Sequence, residues 1–569
     1  MSDKEVIKLV NNLSKTKKIY TDEQLLQLLE REMSDDEEGG EVSDEEDTHL
    51  DFELGGDQEI DEIPDEVEDE LQEFVSAGWC DNNTTTALPF SGQQAFPGRD
   101  LLNGNEPVDY FNLFFTDQFL EMIVQESNDY AESIFMRAGV SEYSRITSWK
   151  PLTVGEMKVF LGLLFHMGTL KAVRMTDYWK QAPLFSLGFG AYMSRNRFFL
   201  IMRCMHFAKN ASPEDPAPQD RLYKVRPLIT HFNERVKLVY YPHKNLCIDE
   251  SVMLWRGRLF FRVYIQNKRH KYGVKFYLLT EPNGFILRCI VYSGKSDVLA
   301  GVGHAEKIVN SLTEDFYDAG HSLFMDNYYN SVGLAERLLE KKTNCTGTLR
   351  KDRKENPKEV TTKKLKKGET TEKFSTSGVC VGKWMDKREV LMISTETSMQ
   401  KSQTVTKRKT NVDKPNAVII YNKNMGGIDV QDQLLSYYSC ERKTLRWYKK
   451  VGVHIFMQML QNSYLLYNKY STKKSDLYDF RMSVIYALVG QPKKVVTSPK
   501  PSGSGIKRKA SHELTQIEKK DKNGKVCRKK CYYCSQSKVR KDTIYECKIC
   551  SGEPGFCPTC FSKFHKCNI

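Results

Sequence analysis

Two kinds of hydrophobic spacing divide this chain. In the first kind, aromatic and aliphatic residues recur every three or four positions, which is typical of amphipathic helices. Such stripes begin at Tyr110 and at Met157, the second after a Thr153-Val-Gly-Glu156 capping box. The same spacing returns in the last third of the chain. The pattern therefore predicts two helical regions, at 106–245 and 438–490.

The second kind of spacing is the short apolar run of a β-strand. Consecutive runs between residues 246 and 292 predict three strands, and a Glu281-Pro-Asn-Gly284 turn joins the last two as a hairpin. An amphipathic helix over 304–317 follows, and then a fourth strand over 322–326. Three strands, a helix and a fourth strand, with acids on the first and fourth strands, is the element order of an RNase H-like core.

The remaining segments complete the predicted organisation. The core occupies 246–350 and resumes at 416–437, and a Lys- and Thr-rich stretch at 351–415 interrupts it as an inserted β-rich subdomain. Residues 1–105 are predicted to be disordered, and residues 491–526 form a basic linker. The predicted fold class is a multidomain α+β protein: an RNase H-like core with an insertion, a flanking all-helical domain and a C-terminal cross-brace zinc domain.

Charge is distributed unevenly along the chain. The net charge is +10, yet residues 35–73 hold 21 acidic side chains and no Lys or Arg. From residue 74 onward, 78 basic side chains stand against 47 acidic ones. A body this basic indicates a polyanionic partner, because each neutralised phosphate releases counterions. The acidic block is typical of a solvated tail; a sharper hypothesis is that it folds back and competes with DNA.

The composition also indicates the compartment. The first residues lack the apolar segment of a secretory signal, and no run approaches the roughly 18 apolar residues of a membrane span. Seven cysteines are scattered singly along the chain, whereas eight of the 15 lie between Cys527 and Cys567. We therefore expect an intracellular protein without a membrane partner, with reduced cysteines in its cores and metal ligands in its tail.

Four aspartates stand at positions suited to metal chemistry. Asp249 and Asp326 end strand-like apolar runs, and Asp429 and Asp432 are three residues apart, so both can face one side of a helix. One aspartate after an apolar run is usually a turn or capping residue, but three such sites in this order favour a metal site. Carboxylates hold pairs of Mg²⁺ or Mn²⁺ ions that stabilise the attacking and leaving oxygens of a phosphodiester. We therefore predict two such ions per active site, in an enzyme that acts on DNA.

The cysteine-rich tail at 527–569 has the spacing of a double zinc site. Three Cys-x-x-Cys pairs and a His-x-Cys pair supply eight ligands, enough for two tetrahedral Zn²⁺ ions per chain. The predicted cross-brace places Cys531, Cys534, Cys557 and Cys560 on one ion, and Cys547, Cys550, His565 and Cys567 on the other. Cys527 could replace Cys567 as the eighth ligand. RING and PHD modules share the pattern, so a protein-binding role is the alternative to DNA binding.

Several motifs of the chain resemble the piggyBac family of transposases. They are Ile248-Asp-Glu-Ser251 leading to Trp255-Arg-Gly-Arg-Leu259, Lys271-Tyr-Gly273, Met325-Asp-Asn-Tyr-Tyr-Asn-Ser331, Gly347-Thr-Leu-Arg350, Tyr421-Asn-Lys-Asn-Met-Gly-Gly-Ile-Asp429-Val-Gln-Asp-Gln433 and Arg442-Lys-Thr-Leu-Arg-Trp447, together with the terminal cysteines. The resemblance runs from about residue 109 to the end. It implies that Asp249, Asp326 and Asp429 are catalytic and that Asp432 is required.

The resemblance also implies a reaction and its partners. Water nicks each transposon end, the freed 3′-hydroxyl attacks the opposite strand to form a hairpin, the hairpin is opened, and the 3′-ends join a TTAA target. The implied partners are double-stranded DNA, which the cysteine-rich tail would read at the transposon ends, and a second copy of the chain. No nucleotide cofactor is expected. Lys507-Arg-Lys509 with Lys519-Lys520 has the form of a bipartite nuclear signal, so a nuclear location is expected.

Basic and aromatic residues beside these acids are the predicted DNA contacts. Trp447 matches a family aromatic residue that stacks on unpaired bases near the hairpin, although a tryptophan that packs between helices gives the same pattern. The segment 256–271, which includes Lys268, would lie beside Asp249. The specific candidates are Arg256, Arg258, Lys271, Arg350, Lys351, Arg442, Lys443 and Arg446. The alternative function is a domesticated, catalytically silent nuclear DNA-binding protein.

Overall fold

The computed structural model describes most of the chain. The described residues are 61–62, 78–136, 144–182, 187–211, 218–266, 268, 271–294, 297, 299–405, 411–492, 514–522 and 524–567, with the backbone alone at 61–62 and 565–567. Most of the acidic block and the first half of the predicted nuclear signal therefore lie outside the described residues.

A mixed sheet of eleven strands forms the centre of the molecule. The strands are β1 (Asp61–Glu62), β2 (Trp79–Cys80), β3 (Asn245–Leu254), β4 (Val263–Tyr264), β5 (Tyr272–Thr280), β6 (Ile286–Val291), β7 (Ser322–Met325), β8 (Asn344–Thr348), β9 (Thr370–Ser375), β10 (Cys380–Met385) and β11 (Glu389–Ser394). Their order is β1-β4-β5-β3-β7-β8-β11-β10-β9-β2, and β6 pairs with β5. The parallel strands β3, β7 and β8 form its middle, and antiparallel strands extend it on both sides.

The burial of the two central strands shows where the sheet is covered and where it is open. Eight of the nine residues of β5 are buried, as in a strand that is packed on both faces. Strand β3 has three buried residues on each side of its centre. The two residues at the centre, Asp249 and Glu250, are half-exposed. The sheet is therefore accessible at the position where the sequence predicts an active site.

Helices surround this sheet and pack against one another. They are α1 (Pro107–Asn112), α2 (Asp117–Phe135), α3 (Val154–Thr169), α4 (Arg195–Cys204), α5 (Arg226–Val239), α6 (His304–Thr313), α7 (Val332–Glu340), α8 (Lys358–Thr362), α9 (Asn416–Asn424), α10 (Gly427–Tyr437), α11 (Trp447–Tyr470) and α12 (Leu477–Val489). Helix α11 packs against α1 and α5, and α12 packs against α3. The two helical regions of the sequence thus share one hydrophobic core with the sheet.

The start of α3 follows its sequence signature in part. The Thr153 hydroxyl accepts a hydrogen bond from the Glu156 backbone N–H, as an N-cap does. The Glu156 carboxylate does not close the capping box; it forms a bidentate pair with the Arg197 guanidinium, at 2.6 and 2.7 Å. Among the described helices, none is long and apolar enough to cross a membrane.

Two segments differ from their predicted organisation. Residues 78–105 were predicted to be disordered, but β2 pairs with β9 and Ala95 bridges to Tyr241. The prediction is wrong for these residues because their aromatic side chains pack on the core, for example Phe96, whose ring stacks on Tyr470 at 4.4 Å. In addition, the predicted insertion continues the central sheet, since β11 pairs with β8 and so satisfies the backbone groups of that strand's free edge.

The chain ends in a small unit that we call the cysteine-rich module, residues 514–567. Before it, β12 (Lys401–Val405) and β13 (Asn411–Pro415) form a separate hairpin. The module consists of β14 (Thr515–Gln516), β15 (Lys529–Lys530), α13 (Tyr532–Gln536), β16 (Asp542–Thr543), β17 (Tyr545–Glu546) and α14 (Pro558–Cys567). Its strands form two two-stranded sheets, β14 with β17 and β15 with β16. Besides its cysteines, the module buries few apolar side chains, among them Ile517, Tyr545 and Phe556, so we expect metal ligation to contribute to its stability.

Candidate active site

Strands β3 and β7 bring the first two aspartates to one edge of the sheet. The strands are parallel neighbours with Ile248 opposite Met325, so the next residues along the chain, Asp249 and Asp326, lie side by side. The Asp326 Oδ1 atom accepts a hydrogen bond of 2.9 Å from the backbone N–H of Tyr328, which orients that carboxylate. A turn after the strand thus presents Asp326, whereas Asp249 remains within β3.

The turn after β7 is fixed by one buried amide. The Asn330 side chain donates to the carbonyl oxygens of Met325, at 2.9 Å, and of Thr348, at 3.0 Å. This ties the end of β7 to the neighbouring strand β8. The position of Asp326 is therefore set by hydrogen bonds that no solvent molecule competes for.

Helix α10 supplies the other two aspartates. Ser251 lies two residues beyond Asp249 on β3, so both side chains point to the same face of the sheet. The Ser251 hydroxyl donates to the Asp432 Oδ1 atom at 2.6 Å, which places Asp432 on the Asp249 side of the sheet. Asp429 lies nearly one turn earlier on the same helix and is exposed.

Gly427 allows α10 to approach the sheet this closely. A Cβ atom at this position would lie 2.4 Å from the Thr280 Oγ1 atom and 2.5 Å from the Cys247 Sγ atom. Any other residue type would force the first turn of α10 away from β3 and β5. The neighbouring Gly426 faces open space, where a Cβ atom would meet nothing within 4 Å. The glycine at 427 therefore sets the distance between the helix-borne and the strand-borne carboxylates.

Lys268 lies among these carboxylates. Its Nζ atom is 3.8 Å from the Asp249 Oδ1 atom and donates to the Glu250 carbonyl oxygen at 2.9 Å. Burial opposes the charge of this ammonium, but Asp249, Glu250, Asp432 and Asp429 together raise the pKa of Lys268 above its ordinary value. One cation thus interacts with acids from both β3 and α10, which places the two groups of carboxylates around a common volume.

The carboxylates are electrostatically unfavourable as they stand. Burial raises the pKa of Asp249, Asp326 and Asp432. The negative charge of Glu250 raises the pKa of Asp249 and Asp326 further, and Asp429 does the same to Asp432. Such an excess of hard oxygen donors fits divalent cations such as Mg²⁺. The acids are not gathered into a close ligand group in this structure: of the described residues, only four cysteines bring three or more ligand atoms within 4.8 Å of one another.

A second lysine, which the sequence reasoning missed, lies on the other face of β3. Lys275 is 2% exposed, and the β3–β5 register puts it on the same face as Glu250. Burial lowers the pKa of Lys275, and its positive charge lowers the pKa of Glu250 against the effect of that residue's own burial. The rings of Tyr277 and Tyr328 lie 4.5 and 5.1 Å from the ammonium. A lysine inside the otherwise apolar run 272–280 was the available signal.

The predicted DNA-contact residues fall into two groups. Arg256, Arg258, Lys271, Lys351 and Lys443 are exposed, and their contact with DNA stays a prediction. The others lie within or against the protein, and they are Arg350, Arg442, Arg446 and Trp447.

Contacts of the second group favour structural roles. Arg442 donates to the carbonyl oxygens of Ala172 and Met167, at 3.2 and 3.3 Å, and Arg446 is only 7% exposed. The half-buried Trp447 meets Phe261 edge to face, with ring centroids 5.1 Å apart. These contacts are those of a tryptophan that packs between elements, the alternative given above for this residue.

The cysteine-rich module contains a group suited to zinc. Cys531, Cys534, Cys557 and Cys560 place their sulfur atoms within 4.8 Å of one another, in the grouping expected for the first ion. The Sγ–Sγ distances of 3.4 Å for Cys534–Cys560 and 3.7 Å for Cys531–Cys557 are close to the edge of about 3.8 Å that tetrahedral Zn–S bonds of about 2.3 Å require.

The second zinc site is only partly within the described side chains. The thiol of Cys547 lies beside that of Cys550 and contributes to the raised pKa of the latter. The side chains of His565 and Cys567 lie outside the described residues, so the ligand set of a second ion stays a prediction. Cys527, the alternative eighth ligand, is half-buried and is not part of the four-cysteine group.

Comparisons with known proteins agree with this arrangement. A family model described as Transposase IS4, of the piggyBac type, matches residues 106–464. The human PiggyBac transposable element-derived protein 3 is 27% identical over 489 residues, which is 82% of this chain and 77% of that protein. The human PiggyBac transposable element-derived protein 2 is 27% identical over 380 residues, 63% of this chain and 61% of that protein.

A solved structure is similar to most of the fold described above. It is the cryo-EM structure of a piggyBac transposase synaptic complex with hairpin DNA, with a TM-score of 0.62 and 25% identity. The similarity covers 70% of this chain and 83% of the other. The family model spans well over half of the sequence, including all four aspartates, and on this evidence the chain belongs to the piggyBac transposase family.

Proposed function

We propose that this chain is a piggyBac-type DNA transposase that cuts transposon ends through hairpin intermediates and joins them to TTAA targets. The observation that carries the proposal is the hydrogen bond from Ser251, two residues beyond Asp249 on β3, to Asp432 on α10, with Lys268 3.8 Å from Asp249. It supports a site in which four aspartates separated by up to 183 positions act together. We identify this part of the sheet, β3 and β5–β8, with an RNase H-like catalytic core.

Each residue of the site would have a separate role in metal binding or in positioning the metal ligands. Asp249, Asp326, Asp429 and Asp432 would hold two Mg²⁺ or Mn²⁺ ions, and Ser251 would keep Asp432 in place. Bound ions of this kind stabilise charge on the attacking and leaving oxygens of the phosphodiester. Lys268 would offset part of the negative charge of the carboxylates and so reduce the electrostatic repulsion between the aspartates.

The charge of the chain supports DNA as the substrate. Exposed cations flank the carboxylates on the segment after β3, namely Arg256, Arg258 and Lys271. Contacts of this kind give affinity and register rather than sequence specificity. The related piggyBac structure holds hairpin DNA, which supports hairpin chemistry here. A homodimer, in which each copy holds one transposon end, and a nuclear location complete the proposal.

The cysteine-rich module would bind zinc and contact the transposon ends. Its four-cysteine group provides a tetrahedral site, and a second ion on Cys547, Cys550, His565 and Cys567 would complete the cross-brace. In residues 514–567, 13 basic side chains stand against 5 acidic ones, which favours DNA over a protein ligand for this module.

A second candidate function is supported by the relatives. Two of them are named as proteins derived from a piggyBac transposable element. A member of this family can therefore be encoded by a gene that is no longer part of a transposon. This chain would then bind DNA without cutting it. The four aspartates favour the transposase, because a silent protein has no need to keep them, and the burial of three, Asp249, Asp326 and Asp432, is unfavourable.

An excision assay separates the two functions. A donor plasmid carries the inverted repeats that flank the gene, each next to TTAA, and repaired donor sites are sequenced after expression of the chain. The wild type should restore TTAA, and Asp326→Asn should abolish excision while DNA affinity is kept. Asp318→Asn is the matched control, because Asp318 is exposed and its φ of 62° is one that Asn also adopts.

The outcomes are distinct. If the wild type binds the repeats but restores no donor site, the chain is the silent DNA-binding protein. If Asp326→Asn excises as well as Asp318→Asn does, the aspartates are not catalytic and the proposal is wrong. Cys547→Ser should weaken binding to the repeats before it affects cleavage, which assigns the module to end recognition.

A further inference from the structure

The cysteine-rich module lies against the C-terminal end of α2. The Lys541 Nζ atom is 2.5 Å from the Glu132 Oε1 atom. The Tyr545 hydroxyl donates to the Phe135 carbonyl oxygen at 2.6 Å, and the two rings meet with centroids 5.1 Å apart. Since Tyr545 is only 6% exposed, this is a packed contact between two parts of the chain some 400 residues apart.

The contact is next to the four-cysteine group. Met136, which directly follows α2, packs against the cluster of Cys531, Cys557 and Cys560. The strand residues that reach α2 lie between the two halves of this group in the sequence. The docking surface of the module is therefore formed by the same part that a zinc ion would stabilise.

The two surfaces have opposite charge. Helix α2 carries five carboxylates and no Lys or Arg along its 19 residues. The module has a large excess of cations, as given above. Burial opposes the charge of Lys541, but the hydrogen bond and the negative charge of Glu132 raise the pKa of the lysine above its ordinary value. The acidic helix thus offers the module a carboxylate, that of Glu132, at the position where a phosphate would otherwise meet Lys541.

We propose that α2 is an intramolecular docking surface for the cysteine-rich module, and that α2 and DNA compete for it. The proposal rests on the proposed function in one respect, the binding of DNA by the module. Glu132 offsets the charge of the Lys541 ammonium, and Tyr545 is packed on Phe135, so this face of the module is covered while it is docked and binding DNA through it requires undocking. The 24 residues from 490 to 513 join the module to α12, and a chain of that length spans at most about 86 Å when extended.

The consequence is control of DNA binding by the chain itself. While the module is docked, its Lys541 is held against Glu132 of its own chain, which weakens the attraction of this face to non-specific DNA. A DNA site that offers more contacts displaces α2. The helix would therefore make the module more selective, because weak sites lose the competition and strong sites do not.

A zero-length crosslink reports docking directly. In the full-length, zinc-loaded protein, a carbodiimide should join Glu132 to Lys541 through an amide, and mass spectrometry identifies the joined peptides. A saturating blunt DNA duplex of mixed sequence should abolish this crosslink. The Lys158–Asp117 pair, 2.7 Å apart and joining α3 to α2, is the control and should crosslink equally with and without DNA. Mixing isotope-labelled and unlabelled chains should show that the Glu132–Lys541 link forms within one chain.

Affinity for the same duplex tests the competition. Glu132→Gln should bind the duplex about two- to fivefold more tightly than the wild type at low salt, the range expected for loss of a partly exposed ion pair. Glu121→Gln removes an exposed carboxylate from the same helix and is the matched control for net charge. It should change the affinity less. High salt should remove the difference between the two variants.

The outcomes test the two parts of the proposal, the docking and the competition with DNA, separately. No Glu132–Lys541 crosslink in the DNA-free protein overturns the docking. A crosslink that DNA leaves unchanged, or equal affinities for Glu132→Gln and Glu121→Gln, overturns the competition. If the wild type binds no DNA at all, the proposed function fails, and the crosslink alone then decides whether α2 is the docking surface.

Discussion

Replacing Gly427 with alanine should separate the two groups of carboxylates without changing any of them. The added Cβ atom would meet the Thr280 Oγ1 atom at 2.4 Å and the Glu281 carbonyl oxygen at 2.5 Å. Ordinary van der Waals contact begins near 3.4 Å. Helix α10 must therefore move outward by about 1 Å, because one of the obstacles is backbone and cannot rotate away. Asp429 and Asp432 move with it.

The expected effect is large on activity and moderate on stability. Overpacking of this kind costs about 1–3 kcal/mol of folding free energy, whereas Ala in place of Gly within a helix would by itself stabilise by up to about 1 kcal/mol. A misplacement of about 1 Å in a catalytic group lowers a rate by roughly a hundredfold. The Ser251–Asp432 hydrogen bond of 2.6 Å cannot survive such a shift unchanged.

The assay compares Gly427→Ala with Gly426→Ala. Excision frequency, affinity for the inverted repeats and the melting temperature are measured for both variants. The Gly426 position faces open space and has a φ of −78°, which alanine adopts readily, so this variant should keep its activity. Equal excision by the two variants would show that the approach of α10 does not set the geometry of the site, and the placement of Asp429 and Asp432 in it would be wrong.

Three other predictions test the charges and the metal ligands. Asp326→Asn should raise the melting temperature of the metal-free protein at neutral pH, because burial and then the charge of Glu250 raise the pKa of Asp326. The wild type should therefore gain stability as the pH falls through that raised pKa toward about 4, the ordinary value of an aspartate in the unfolded chain. The variant should gain less stability over the same range, and calorimetry at several pH values measures the difference. Chelation of zinc, or Cys531→Ser, should unfold the cysteine-rich module and leave the sheet intact, which circular dichroism with metal analysis can follow. Arg442→Ala should lower the free energy of unfolding by about 1–3 kcal/mol in a denaturant titration, because backbone carbonyl oxygens lose their hydrogen-bond donor. Lys443→Ala changes an exposed residue, so it should alter the free energy of unfolding by less than about 0.5 kcal/mol and should reduce DNA affinity instead.

Local patterns predicted the elements that carry the site. The strands around Asp249 and Asp326 and the helix between them lie within a few residues of their expected bounds, because the strands are distinct apolar runs and the helix has a clear amphipathic stripe. Residues 78–105 were misassigned because their few aromatic residues follow a long acidic block. Their packing partners, such as Tyr470, lie hundreds of positions away and leave no trace in the local composition.

The sequence could not show how α10 sits on the sheet. That position depends on Ser251 and Gly427, which are 176 residues apart and are ordinary residues in their own segments. Lys268 was expected to contact DNA because it lies in a basic run, but the fold turns it toward the acids. A sequence pattern shows which residues carry charge. It does not show which charges face one another.

The arrangement of the two lysines follows from placing two acids in a buried strand. Asp249 and Glu250 are adjacent in β3, so they point to opposite faces of the sheet, and each face therefore gains an uncompensated carboxylate. Lys268 lies near Asp249, and Lys275 lies on the face of Glu250, so each carboxylate has a cation within reach. Aliphatic residues at all four positions would pack well in such a sheet and would avoid the cost of burying charge. The two lysines thus offset the cost of burying the two acids. The proposed metal site accounts for an acid at position 249, where an aliphatic residue would be more stable.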